Sequence, residues 1–480
     1  MLAAGVHTSS FCRSNGPAPL TEIKEAPVRA THASAMLDHS PLLTDLYELS
    51  MLEAYAADGM AETAVFELFF RKLPPRRGFL MAAGLEQVAA FLEAVQFTAD
   101  DLAWLRSSGL FASDFVDSLA AFRFTGDVDA MSEGTVFFPD EPVLRVTAPL
   151  PEAQLVETRL INLIHFQTVI ASKAARMVLT APGRQLVDFG LRRAHGAEAG
   201  LLAARASYLA GFDGTATVAA GRAFGIPVVG TMAHAFVQAY TDEATAFAHF
   251  ARTRPKGLTL LIDTYDTERG AAVVAALAPR LAAEGITIDA VRLDSGDLAK
   301  HARAVRAILD DAGCASIRIF ASGGLDEDSL QRLMAAPIDG FGIGTSLTTA
   351  SDVPALDCAY KLQEYAGRPR RKRSEGKATW PGRKQVYRRY HADGTIAGDV
   401  VALLDEAVNG EPLLRPALRG GRRVAGFPDL ARARACAARS LTLLPESLRR
   451  LESQVVPVEI SPGIRAMADR LDRATSGREV

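Results

Sequence analysis

Between residues 186 and 346, short aliphatic runs alternate with Ala-rich stretches at near-constant intervals. Val229, Ile262, Val291, Ile319 and Gly342 mark five of the runs, at separations of 33, 29, 28 and 23 residues. That is the length of one strand plus a crossover helix, and only parallel strands need a crossover of that size. Leu186 to Phe189 reads as an earlier run of the same kind. The intervening segments carry helical signals: Leu298, Ala302, Val305 and Leu309 form one apolar stripe that ends at Gly313, and Asp326 can cap a helix carrying Leu330, Leu333 and Met334. The predicted fold is α/β, an irregular parallel β/α barrel over 171–358.

Flanking segments obey different rules. Over 41–170, strand-like pieces (64–70, 143–146) mix with helical ones (85–95, 114–121), which predicts an N-terminal α+β domain. Its first helix carries Leu46, Leu49, Leu52 and Tyr55 at helical spacing, with Thr44 as the expected N-cap. Residues 359–480 read as a smaller β-containing region that packs on the N-terminal domain, with a helical segment at about 430–450 and a flexible end. Residues 1–40, rich in Ala, Ser, Thr and Pro, read as a disordered extension; the start lacks the basic leader and apolar core of a secretory signal.

Composition narrows the function classes. With 53 basic against 56 acidic residues and a net charge of -3, the chain has no basic field for nucleic acid. No apolar window is long enough to span a bilayer. The four cysteines, Cys12, Cys314, Cys358 and Cys436, are too scattered for a zinc site and read as reduced thiols of a cytoplasmic protein.

Polar residues gather where the predicted strands end: "DFGLRRAHG" (188–196), "GFDGT" (211–215), "GTMAH" (230–234), "IDTYDT" (262–267), "RLDSGD" (292–297), "ASGG" (321–324) and "GIGTS" (342–346). In a parallel barrel these ends face one common site. Glycines let backbone approach an anion, so "SGG" and "GIGTS" read as phosphate cradles. Asp294 and Asp297 of "RLDSGD" have the chemistry to hold ribose hydroxyls or Mg2+, which takes one or two carboxylates beside substrate phosphates. Neither a Rossmann fingerprint nor a P-loop is present: 340–345 lacks the third glycine, and Arg371 stands where the first glycine of a P-loop belongs. The basic run from Arg368 to Lys377 reads as a solvated loop or as support for a polyanionic substrate. His234, at the end of the "IPVVGTMAH" run, is open to readings as a structural residue, a metal ligand, a base or a phosphoacceptor.

These segments together resemble the nicotinate phosphoribosyltransferases, which are type II phosphoribosyltransferases. The likeness runs in order through "LLTDLYELSM", "DFGLRRAHG", "FGIPVVGTMAH", "RLDSGDL", "ASGGLDE", "GIGTSL" and "EYAGRPRRKRSEGKATWPGRKQVYR", over about 41–450. The resemblance implies that nicotinate and 5-phosphoribosyl 1-pyrophosphate (PRPP) are converted to nicotinate mononucleotide and pyrophosphate in NAD biosynthesis and salvage, the Preiss-Handler route. ATP hydrolysis would be coupled through phosphorylated His234, with Mg2+, which is ligase-type chemistry.

It further implies a homodimer with sites at the subunit interface, where Tyr47 of the partner stacks on the pyridine ring. Thr231, Arg292 and Arg193 would contact nicotinate, with Arg192 a weaker candidate. Ser295, Gly296, Gly323, Gly324, Gly344 and Thr345 would face the PRPP phosphates, and Asp294 would stabilise charge on the ribose. Two departures from the family pattern are visible: Ala216-Thr217 replaces an expected Ser-Asn, and Ala235 a common serine; if that serine orients the histidine or a phosphate, Ala235 predicts weaker coupling to ATP. Rival readings are a nicotinamide- or quinolinate-using transferase, a phosphosugar aldolase or isomerase, and a non-catalytic metabolite-binding barrel. The seven loops contain no lysine and no glutamate, the groups that aldolases and isomerases need.

Overall fold

The computed structural model describes residues 39–452 and 456–476. The extension expected over 1–40 therefore lies, apart from its last two residues, outside the described part. A six-stranded parallel sheet carries the α/β half of the chain. Its order is Gly214–Thr215, Gln185–Asp188, Gly340–Ile343, Arg318–Ser322, Ile288–Leu293 and Leu258–Leu261. The sheet curls into a β/α half-barrel around a cavity of about 190 Å3, lined from Gln185 and Asp289 at one end to Phe189 and Thr231 at the other. The crossover helices form as their stripes require. Leu298, Ala302, Val305 and Leu309 are all buried on Leu298–Asp311, and Asp326 caps Glu327–Leu333 by accepting from the Ser329 amide at 2.8 Å.

Two local expectations need correction. The Val228–Val229 run is not a strand but a single parallel bridge from Val228 to Thr215. Pro227 has no N–H to extend a ladder, and the neighbouring strand is only two residues long. The first helix, Leu46–Ala57, has Asp45 and not Thr44 at its N-cap, and no side chain caps it.

Acidic side chains set the register at the amino ends of the barrel strands. Asp213 accepts from the Leu186 amide at 2.9 Å, Asp289 from Leu258 at 2.9 Å and Asp339 from Ile319 at 2.8 Å. Each satisfies a strand-start N–H that the ladder alone leaves unpaired.

The flanking regions share one antiparallel sheet. Thr63–Phe70 lies between Pro142–Pro149 and Cys358–Tyr365, and Leu414–Arg419 pairs with Asp127–Met131. The C-terminal region thus supplies strands to the N-terminal sheet as well as a sheet of its own, built on Lys384–Tyr390 and Ile396–Leu403. The 24-residue helix Glu157–Thr180 connects this body to the barrel and is buried on most of its faces. A charged triad reinforces the join: buried Arg205 of a barrel helix meets half-exposed Glu86 and buried Glu133, 2.5 and 2.7 Å away. Among the described residues no helix is long and apolar enough to cross a membrane.

Candidate functional site

Asp294, just past the end of Ile288–Leu293, is the hub on which four loops converge. Its Oδ1 accepts from Ser322 Oγ at 2.5 Å and lies 3.8 Å from Arg292 Nη2, while its Oδ2 is 3.8 Å from His234 Nε2. Its backbone amide donates to Asp263 Oδ2 at 2.8 Å, and the Ser295 hydroxyl donates to the same oxygen at 2.7 Å. Gly323 sits so close behind the Asp294 carbonyl that a Cβ there would stand 2.2 Å from the oxygen, and its φ of +97° also demands glycine.

His234 opens the short helix His234–Gln238, half-buried, with Nδ1 3.2 Å from Thr264 Oγ1. The imidazole is therefore held at one nitrogen by a hydroxyl, with the other facing Asp294 and the open side of the site. This separates the roles of the two ring nitrogens, as a nucleophilic imidazole requires. Thr264 belongs to the "IDTYDT" loop, and Ala235 beside His234 offers no hydroxyl of its own.

Arg292 is half-buried, its guanidinium 5.9 Å from the Phe189 ring centre, and its Nε has no partner among the described residues. Burial lowers its pKa, opposed by the nearby Asp294 and Asp263 carboxylates. A cation whose donors are incompletely used, next to an aromatic face and with Thr231 and Phe189 lining the adjoining cavity, suits a flat anionic ring. Of the two arginines on the turn Leu191–Arg193, it is Arg192 whose charge reaches Arg292. Arg193 is exposed on the same turn, with no side-chain partner among the described residues.

The glycine loops lie beside this hub. Gly323 and Gly324 both have positive φ, and their amides have no protein acceptor among the described residues. A Cβ on Gly324 would meet nothing within 4 Å, so that side of the loop is open. Gly344 precedes the turn Thr345–Thr348, where Ser346 Oγ donates to the Leu325 carbonyl and ties the two loops together. Gly296 packs over His301, whose Nδ1 is 2.8 Å from Glu268 Oε1.

Asp297 caps its own helix, accepting from the Lys300 amide at 3.1 Å. Asp263 is a better companion for Asp294: its Oδ1 is buried without a partner. Two adjacent carboxylates, one with an unused oxygen, fit a Mg2+ ion bound mainly through substrate phosphates. Asp263, Thr264, Phe189 and Ser322 were not singled out from the sequence, although their loops were; the acid and hydroxyl of "IDTYDT" carried the available signal. Tyr47 is not brought to the site within the protomer. It is 47% exposed on Leu46–Ala57, beside Glu48, Glu157 and Thr158, and partial burial, with the Glu157 and Glu48 carboxylates adding to it, raises its phenol pKa.

The fold and the site define a β/α half-barrel protein whose charged and glycine-rich loops converge at the carboxyl ends of its parallel strands. Family models described as the nicotinate phosphoribosyltransferase N-terminal domain and the nicotinate phosphoribosyltransferase family match residues 42–165 and 184–369. The chain belongs to the nicotinate phosphoribosyltransferase family. It is 52% identical to a nicotinate phosphoribosyltransferase of Mycobacterium tuberculosis, over 90% of this chain and 94% of the relative. It is 43% identical to that of Bacillus subtilis, over 79% of each. The crystal structure of human nicotinic acid phosphoribosyltransferase superposes with a TM-score of 0.80 at 31% identity, covering 89% of this chain and 99% of that one.

Proposed function

We propose that the protein transfers the phosphoribosyl group of PRPP to nicotinate, giving nicotinate mononucleotide and pyrophosphate, with ATP hydrolysis coupled through phosphorylation of His234. The observation that carries this reading is the convergence on Asp294 of His234, Arg292 and the Gly323 loop. Arg292 and Thr231 hold the nicotinate carboxylate and ring edge against Phe189. The ring nitrogen already has its lone pair, so it attacks the anomeric carbon without a base as the bond from that carbon to the pyrophosphate oxygen breaks. Asp294 stabilises the positive charge that develops on the ribose, and the free amides of Gly323 and Gly324 receive the departing oxygens. Asp294 and Asp263 would hold Mg2+, which supplies charge neutralisation at the phosphates.

His234 takes no part in that displacement and serves the phosphoryl transfer instead. With Nδ1–H donated to Thr264 Oγ1, the Nε2 lone pair attacks the γ-phosphorus of ATP and ADP leaves; water later takes the phosphoryl group as phosphate. The reading further includes a cytoplasmic homodimer acting in NAD biosynthesis by the Preiss-Handler route. Its support is the exposed apolar surface. Leu46 and Tyr47 stand out from the N-terminal body, and Leu191, Val218, Val228 and Tyr265 from the barrel loops, so that one protomer can cover the other's site.

The test uses γ-labelled ATP with Mg2+. Wild-type protein acquires acid-labile label and His234→Ala does not; label that persists in the variant removes His234 from the reaction. Turnover compared on nicotinate, nicotinamide and quinolinate tests the substrate, with nicotinate expected to dominate.

A further inference from the structure

Beside the glycine loops lies a cluster of charges, buried except for Asp352, that the proposed reaction does not use. Lys173, on the long helix Glu157–Thr180, is 1% exposed, and its ammonium reaches two carboxylates from different loops. It donates to Glu327 Oε2 at 3.0 Å and to Asp352 Oδ1 at 2.7 Å. Glu327 is the first residue of the helix that follows Gly323 and Gly324, and Asp352 follows the turn that begins at Thr345. Fully buried Arg77 clamps Asp352 through two nitrogens, at 3.2 and 3.0 Å, and Arg176 lies 3.4 Å from Asp352 and 4.0 Å from Glu327. Burial would raise the Asp352 pKa, but Arg77 and Lys173 outweigh it and bring it down to about 2, so the carboxylate stays charged.

We propose that Lys173 is a positioning residue for PRPP: its ammonium ties Glu327 to Asp352 and so sets the separation of the two glycine loops that face the phosphates. The arrangement suits the task. A buried ion pair contributes little net stability compared with an apolar replacement, yet it specifies geometry, because removing one member strands the others. An ammonium shared by two loops makes their spacing a property of the rigid helix beneath them and not of the loops themselves. This inference rests on the reading of those loops as the phosphate site.

Lys173→Met alone would leave Glu327 charged and poorly paired in the interior, so the informative variant is Lys173→Met combined with Glu327→Gln. It removes the bridge without stranding a charge, and Asp352 keeps Arg77. Asp352→Asn, which weakens the second arm but also takes the counter-charge from buried Arg77, is measured beside it, with thermal midpoints recorded for both. The expected result is a folded double variant whose KM for PRPP rises about tenfold while KM for nicotinate changes less than about twofold, with a smaller PRPP shift in Asp352→Asn. A merely structural role would lower the thermal midpoint and move both substrates together, or change kcat alone, and either result overturns the proposal. Gly324→Ala, which puts a methyl in the open loop, separates the two levels of the argument. If it raises KM for PRPP and the bridge variants do not, the brace is wrong and the phosphate site stands. If none of them moves it, the phosphate site falls and the brace with it.

Discussion

Thr264 shows how one hydroxyl decides what a histidine can do. If its Oγ1 receives the Nδ1 proton, Nε2 is left as the nucleophile; without it the imidazole can adopt either tautomer and turn freely. Thr264→Val keeps the volume and removes the acceptor. It is expected to cut the rate of acid-labile labelling by about tenfold while leaving KM for nicotinate unchanged, as read by quenched-flow labelling and steady-state assay. Glu48 offers a test of a different kind. It is fully buried and accepts from Gln154 Nε2 at 2.7 Å. Burial, with the Glu157 and Asp45 charges adding to it against the Gln154 and Tyr47 hydrogen bonds, raises its pKa from the ordinary 4.5 to about 7. Between those values the folded protein binds more protons than the unfolded chain, so the contribution of this residue to stability falls as pH rises through that window. Glu48→Gln cannot ionise. Its thermal midpoint is therefore expected to exceed that of wild type at pH 8, with the difference closing by pH 5; a constant difference across that range would show that Glu48 is not the titrating group.

The elements of the barrel are held in register by acids at the strand starts. Removing the acceptor in Asp339→Ala leaves the Ile319 amide without its side-chain partner and is expected to cost about 1 kcal/mol in urea unfolding, with KM values unchanged because the substitution is at the far end of the barrel from the loops. Elements of this half were legible where local period and spacing carry the information. The Leu298–Leu309 stripe, the Asp326 cap and the recurrent βα intervals are local patterns, and the structure follows them. Val228–Val229 was not legible as a bridge, because its aliphatic pair reads as a strand and only the two-residue neighbour and Pro227 stop the ladder. The hub at Asp294 was visible in outline from strand-end chemistry, whereas the pairing of Thr264 with His234 depends on side-chain direction across two loops. Lys173 was hidden for another reason: a lysine in a helix reads as a solvated residue until the opposing carboxylates, more than 150 positions away, are in place.

At the scale of the whole molecule, the first and last of the three regions read from the sequence contribute strands to one sheet. Residues 39–357 expressed alone lack the strand that pairs along the full length of Thr63–Phe70 as well as the partner of Asp127–Met131. Such a fragment exposes two unpaired sheet edges. It is expected to aggregate or to show no cooperative thermal transition by circular dichroism, whereas co-expression with 358–480 restores a soluble complex.

The same pairing sets an order of events during synthesis. Ala64 pairs with Tyr365 and Phe70 with Cys358, so Thr63–Phe70 waits for some three hundred residues to emerge from the ribosome before its outer partner exists. At roughly 5–20 residues per second in the cell, that is an interval of tens of seconds during which an apolar strand edge is open. The barrel segment emerges within that interval, and all its strand pairs, including that of Gln185–Asp188 with Gly340–Ile343, lie before residue 358, so it can fold first and carry the unfinished sheet on the long helix Glu157–Thr180. The hazard for this chain is therefore kinetic and sits in its first strand, and slower translation between residues 70 and 358 would lengthen the exposure.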